Sequence, residues 1–274
     1  MQQRGLIIKL KKQKKSKNSE FKHPVLFVGA GPGDPELITV KGKKALEQAD
    51  VVVYAGSLVP EAVLKWTRTE AKKINSASMH LEQIIAQIET ACSSGQRVVR
   101  LHTGDPSLYG AILEQMEALQ KRSIPCQVIP GVTAAFAAAA AMGIEFTLPE
   151  VCQTLILTRM AGRTPVPPSE NLAALAQHQA SMAIYLSISL IDEVAAVLAE
   201  SYGPDAGCAV AYCVSQPDER IIVTQLKDLV KTVKTQKITR NALIIVGKVL
   251  DVDRSRMKHK SKLYDPNFKH EHRK

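Results

Sequence analysis

A chain of 274 residues with 45% hydrophobic and only 4% aromatic residues carries enough aliphatic side chain for one large core or two modest ones, which excludes a disordered or fibrous class. The formal net charge of +10 sits at the ends: residues 1–22 hold eight Lys or Arg against Glu20 alone, and 251–274 hold eight against Asp251, Asp253, Asp265 and Glu271, so the body 23–250 is close to neutral. Such tails are expected to be solvated and disordered, and with no aromatic in residues 1–20 to stack on bases, no nucleic-acid partner is expected.

In chain order, 25–29 reads as a short buried strand that runs into a Gly/Pro loop at 29–35, followed by a helix over 37–49 and a strand at 51–54. Leu81, Ile84, Ile85, Ile88 and Cys92 fall at helical spacing, with Gly95 closing that helix. A strand at 97–101, a loop at 103–109 and a helix with Ile112, Met116 and Leu119 on one face come next. The strand 126–129 enters Pro130-Gly131 and an Ala-rich helix ending at Met142. This order predicts a mostly parallel sheet with both faces covered. A second block starts near Val151, with strands at 154–157, 182–186, 208–214, 221–224 and 243–246 and helices near 190–200 and 226–233. Gly162, Pro165, Pro167 and Pro168 make 160–168 an irregular loop. Gly143 and Pro149 interrupt the pattern between the blocks, so the expected division is 1–22 tail, 23–148, 149–250 and 251–274 tail.

Cys92, Cys126, Cys152, Cys208 and Cys213 form no C-x-x-C pair and have no His at ligand spacing, so no metal site is expected and a reducing compartment fits. The N-terminus is charged, with Leu6 to Ile8 its one apolar run, and no leader is expected there. The longest apolar stretch, 134–142, falls short of the roughly 20 residues a bilayer needs, so a cytoplasmic protein without membrane contact is expected.

Three loops carry the chemistry. Gly29-Ala30-Gly31-Pro32-Gly33-Asp34-Pro35 follows a strand and precedes a helix, yet it is no dinucleotide fingerprint, because Asp34 stands where a third Gly is needed and two prolines remove N–H donors. No Gly-Lys-Ser/Thr follows, so it is no P-loop either. Thr103-Gly104-Asp105-Pro106-Ser107-Leu108-Tyr109-Gly110 repeats the strand, Gly-Asp-Pro, helix plan, and Pro130-Gly131-Val132-Thr133-Ala134 sits at the next strand end. Each alone is also read as an ordinary surface turn. Together, at carboxyl ends of parallel strands, they point to one crevice and a small polar ligand bound by main chain.

These motifs, in this order, resemble the tetrapyrrole methylase family over residues 25–250. Tyr54-Ala55-Gly56-Ser57-Leu58-Val59-Pro60, Leu148-Pro149-Glu150 and Leu157-Thr158-Arg159 through Gly162-Arg163-Thr164-Pro165 are similar to the branch acting on carbon 11 of precorrin-4 or cobalt-precorrin-4, and Ala55-Gly56 replaces the Asp-Arg of relatives that methylate uroporphyrinogen. The resemblance implies two α/β domains with a cofactor cleft between them, a homodimer, S-adenosylmethionine as methyl donor and a tetrapyrrole substrate. By motif match it implies cofactor contacts at Pro32, Thr103, Gly104, Asp105, Leu108, Thr133 and Ala134, with Leu186 where the family often has Met, and Ala211 and Cys213 further on.

A polyanionic tetrapyrrole calls for cations, and Lys41, Arg159 and Arg163 are the candidates, with solvated charge as the bland alternative for the two arginines. No general base is assigned. Asp105 is read as a structural acceptor or cofactor partner before a base, His102 as a packed, hydrogen-bonded ring, Cys213 as a buried thiol, and Leu81, Ile84 and Ile88 as core. Alternatives left open are methylation of uroporphyrinogen or another ring position, an RNA- or protein-methylating relative, and a non-catalytic nucleotide-binding module.

Overall fold

The computed structural model describes residues 21–253, 261–265 and 267–269; the basic tails expected at 1–22 and 251–274 lie largely outside them. The chain divides into two compact units, one made of residues up to 30 with 38–131, the other of 31–37 with 132–274.

The first unit holds a five-stranded sheet in the order β3-β2-β4-β1-β5, where β1 is Val25–Gly29, β2 Val51–Tyr54, β3 Lys72–Asn75, β4 Val98–His102 and β5 Cys126–Ile129. Every pairing is parallel. Helix α1 (Val40–Gln48) starts at Thr39, whose hydroxyl accepts from Gly42 N at 3.1 Å and supplies the N-cap. It packs with Val28, Val52, Val99 and Leu101 on one face of the sheet. Helices α2 (Leu81–Ser93) and α3 (Ile112–Gln120) cover the other face, over Val25, Phe27, Val51, Val53 and Val98. The crossover from β1 leads towards β2, while that from β4 leads past β1 to β5. The connections therefore part at the β4–β1 boundary, the place where open α/β sheets bind ligands beyond the strand carboxyl ends.

The second unit holds a mixed sheet in the order β6-β7-β10-β8-β9: β6 Leu155–Arg159, β7 Ser181–Tyr185, β8 Gly207–Tyr212, β9 Arg220–Gln225 and β10 Ala242–Val246. Only β6 and β7 run parallel. Its helices are α4 (Ala134–Met142), the short α5 (Leu172–Ala176), α6 (Ile191–Tyr202) and α7 (Leu226–Thr235). Helix α4 packs Ala135, Ala137, Ala138, Ala139 and Met142 against Ala183, Ala209, Ala211, Leu243 and Ile245. Small side chains on both sides allow this close seating. It explains why the division falls after Gly131, whereas the sequence pattern placed it at 148/149 and gave this helix to the first block.

Candidate functional site

In the first unit, the three predicted turns leave adjacent strands at one edge. Gly29 ends β1, Gly104 follows β4 and Gly131 follows β5, and the register places Gly29 beside His102 and Val28 beside Ile129. Their backbones touch. A methyl group on Gly29 would lie 2.6 Å from the Gly104 carbonyl oxygen and 2.6 Å from both Cα and N of Gly131, and one on Gly131 would overlap that same oxygen. Only glycine fits such an approach. Ala30 N donates to His102 O at 2.7 Å and joins the first turn to β4.

Asp105 fastens the second turn to the third. Its Oδ1 accepts from Ser107 N at 2.8 Å and its Oδ2 from Gly131 N at 2.9 Å. Both oxygens are thus engaged by main-chain donors, which makes Asp105 a structural acceptor and not a free base. Leu108 N donates to Asp105 O at 3.2 Å, and Thr103 and Leu108 are half-buried. Beyond them Tyr109 and Ala111 adopt φ of 57° and 48°, a left-handed backbone that costs roughly 1–2 kcal/mol per non-glycine residue. An open pocket of about 370 Å³ lies along this stretch, lined by Pro106, Ser107, Tyr109 and Leu113 among others.

His102 is buried at the end of β4 and stacks on Phe27, ring centroids 5.8 Å apart. Burial, assisted by the Arg100 charge, pushes its imidazole down to about 3, so it is neutral at physiological pH. It is packed as expected, but its Nε2 has no hydrogen-bond partner among the described residues. Lys41 sits exposed in the first turn of α1.

The second unit holds the remaining predicted residues. Pro32 lies in the 31–37 segment, which two loop contacts retain: Asp34 N donates to Ser215 Oγ at 3.0 Å and Gln216 Nε2 to Pro32 O at 3.5 Å. Thr133 is the N-cap residue of α4, and its hydroxyl shares a 2.6 Å hydrogen bond with Tyr185 Oη, which also accepts from Ala135 N at 3.0 Å. Burial raises the Tyr185 phenol, which keeps it protonated. The next residue, Leu186, has φ 54° and is 64% exposed. Ala211 is flanked by Leu243 and Ile221 in two ladders, so its main-chain groups are already engaged. Cys213, past the strand end at φ 45°, is buried and donates its N–H to Asn241 O at 2.9 Å.

Arg159 turns out to close its own loop. Its guanidinium donates to Met160 O at 3.4 Å, Thr164 O at 3.1 Å and Pro165 O at 2.6 Å. Three of five N–H groups are therefore taken by local carbonyls, which leaves two donors of this half-buried side chain for a ligand or solvent. Arg163 in the same loop is exposed, with no ion pair among the described residues. Among the described residues no group of three His, Cys, Asp or Glu side chains could hold a metal, and no helix is long and apolar enough to cross a membrane.

Sequence reasoning matched Tyr185 to the family only as the neighbour of Leu186 and gave it no role, and it missed Ser215, Arg100 and Gln115. Arg100 carried a visible signal, a lone charge inside Val98-Val99-Arg100-Leu101. The turns themselves, 29–35, 103–110 and 130–134, contain no Lys or Arg, and the first two carry Asp34 and Asp105. That donor and charge set suits a nucleoside bearing a sulfonium and disfavours a diphosphate.

Comparison with known proteins agrees with this arrangement. The family model described as Tetrapyrrole (Corrin/Porphyrin) Methylases matches residues 24–230. The cobalt-precorrin-4 C(11)-methyltransferase of Methanocaldococcus jannaschii is 53% identical over 251 residues, covering 91% of this chain and 96% of the relative. The X-ray structure of a cobalamin biosynthetic enzyme, cobalt precorrin-4 methyltransferase, superposes with a TM-score of 0.81 at 44% identity, over 84% of this chain and 96% of that one. Uroporphyrin-III C-methyl transferase from Thermus thermophilus, complexed with S-adenosylhomocysteine, gives 0.65 at 25% identity, over 82% and 92%. With its three strand-end turns and a match across three quarters of its length, the chain belongs to the tetrapyrrole (corrin/porphyrin) methylases.

Proposed function

We propose that this protein transfers a methyl group from S-adenosylmethionine to carbon 11 of precorrin-4, with the cobalt-bearing form as the first substrate to try because the Methanocaldococcus relative and the 0.81 TM-score structure are both named for it. The observation that carries the reading is the contact of three glycine turns at neighbouring strand ends, locked by Asp105 and free of cationic side chains. The cofactor residues proposed are Thr103, Gly104, Asp105 and Leu108 in the first unit, and Pro32, Thr133, Ala134, Leu186 and Cys213 in the second; Ala211 is the weakest member, since its main chain is held in two ladders.

S-adenosylmethionine, when bound, supplies a methyl already activated on a sulfonium. The protein's task is to bind, orient and keep water out. Turn backbones held by Asp105 and Tyr185 offer fixed N–H and C=O groups at no reorganisation cost. Exposed Leu186 and half-buried Leu108 offer apolar surface for a nucleoside. Holding donor and acceptor in line is worth about 7–11 kcal/mol of barrier in favourable cases, which explains a site without triad or paired carboxylates. Lys41, Arg159 and Arg163 are proposed to meet the acetate and propionate arms of the substrate, with Arg159 also closing the loop that carries Arg163. The reading includes a homodimer working in the cytoplasm; sedimentation tests the first part.

The deciding experiment is turnover with carbon-13 methyl donor and cobalt-precorrin-4 or precorrin-4, followed by carbon NMR of the product. Label at carbon 11 is expected. Label at another carbon, or turnover of uroporphyrinogen only, rejects the positional assignment, and absence of S-adenosylhomocysteine binding by calorimetry rejects the cofactor.

A further inference from the structure

Under the second turn lies a buried polar network to which the proposed function gives no role. Arg100 stands on the α2/α3 face of β4, where Val98, Phe27 and Val53 mark its surroundings as core. It is only 5% exposed. Its Nε donates to Gln115 Oε1 at 2.9 Å, and its Nη1 donates to Ser76 Oγ at 3.0 Å and Val53 O at 3.3 Å. All three acceptors are neutral. A buried guanidinium without a carboxylate holds the fold no better than an apolar side chain of similar volume, so stability alone does not account for Arg100. Departures from core patterning concentrate where a site needs them.

Gln115 shows what the need is. It too is 5% exposed, and with its oxygen facing Arg100 its Nε2 donates to Ala111 O at 3.1 Å. A guanidinium has donors only, so it selects the oxygen end of the amide and leaves the NH₂ end for Ala111. Ala111 closes the second turn in a left-handed conformation and has no side-chain cap of its own. Asp105 clamps the beginning of this turn and Gln115 its end.

We infer that Arg100 and Gln115 are positioning residues for the methyl donor: Arg100 orients the Gln115 amide, Gln115 holds the Ala111 carbonyl, and together they fix the path of residues 103–111. The inference rests on the cofactor reading proposed above. Gln115→Glu separates this role from folding, because it keeps an acceptor for Arg100, adds an ion pair, and removes the donor to Ala111.

The expected result for Gln115→Glu is a melting temperature equal to or above wild type, with the Kd for S-adenosylhomocysteine raised about tenfold, the size of one net hydrogen bond. KM for the methyl donor should rise while KM for the tetrapyrrole does not. The apolar pair Arg100→Met with Gln115→Leu should fold and show the same loss of affinity, and it decides the matter if Gln115→Glu does not fold. Wild-type affinity in a folded variant overturns the inference, as does a lowered melting temperature with affinity intact, or failure of both variants to fold. A wild-type protein that does not bind S-adenosylhomocysteine overturns the functional reading instead.

Discussion

The two units hold their candidate residues by different means. The first relies on backbone against backbone: three glycines at parallel strand ends, with one carboxylate pinning two turns. The second relies on side chains that reach across loops, Tyr185 to Thr133 and Ala135, and Ser215 to Asp34. A parallel sheet delivers several loops to one edge without further help, whereas a mixed sheet sends its loops to both ends and must tie the useful ones back. The first arrangement should therefore be brittle to added volume and the second graded in its response to lost hydroxyls.

The hardest blow to this contrast is Gly131→Ala. The added methyl overlaps the Gly104 carbonyl, and a loss of about 3 kcal/mol or more is expected by thermal or urea unfolding, with S-adenosylhomocysteine binding abolished. A tolerated alanine would mean that the turns do not depend on close approach. His102 gives the next effect. Its folded-state value of about 3 lies below the ordinary 6.5, so between these values the unfolded chain binds the extra proton and stability falls as pH falls. From pH 6.0 to 4.5 this amounts to about 2 kcal/mol from one site, and His102→Leu should flatten that part of a urea-unfolding profile. Asp105→Ala releases Gly131 N and Ser107 N together, and should weaken S-adenosylhomocysteine about tenfold by calorimetry. In the second unit, Tyr185→Phe removes one hydroxyl from two partners and should cost about 1 kcal/mol in unfolding. Arg163→Ala is expected to raise KM for the tetrapyrrole by only about threefold, as an exposed cation should, and to leave cofactor affinity alone. A larger effect on cofactor than on substrate would remove Arg163 from its assigned place.

Much of the first unit was legible before the structure. The strands at 25–29 and 51–54 appear as apolar runs, because parallel strands buried on both faces must be apolar, whereas 126–129, an edge strand with exposed Gln127, is marked by the Pro130-Gly131 that follows it. The Lys72–Asn75 strand was not legible: it is an edge strand with one buried residue, Ile74, and its lysines read as loop. Helix α5 has five residues, too few to show a period. The pairing in the second sheet was also hidden, since an apolar run does not reveal the direction of its neighbour. At the site, spacing found the three turns, and the match with known relatives bears out the family they suggested. Spacing could not show that Arg159 folds back on Thr164 and Pro165, or that Gln115 reaches Ala111, because both depend on side-chain direction in the finished fold.

Residues 31–37 belong to the second unit although the chain on either side of them belongs to the first. The polypeptide therefore passes between the units three times, and no single cut separates them. A fragment ending at 131 carries away seven residues that the remainder needs, including the backbone N–H that Ser215 accepts. Splitting this protein for complementation, or exchanging halves with a relative, calls for a graft of that short segment as well as a new junction.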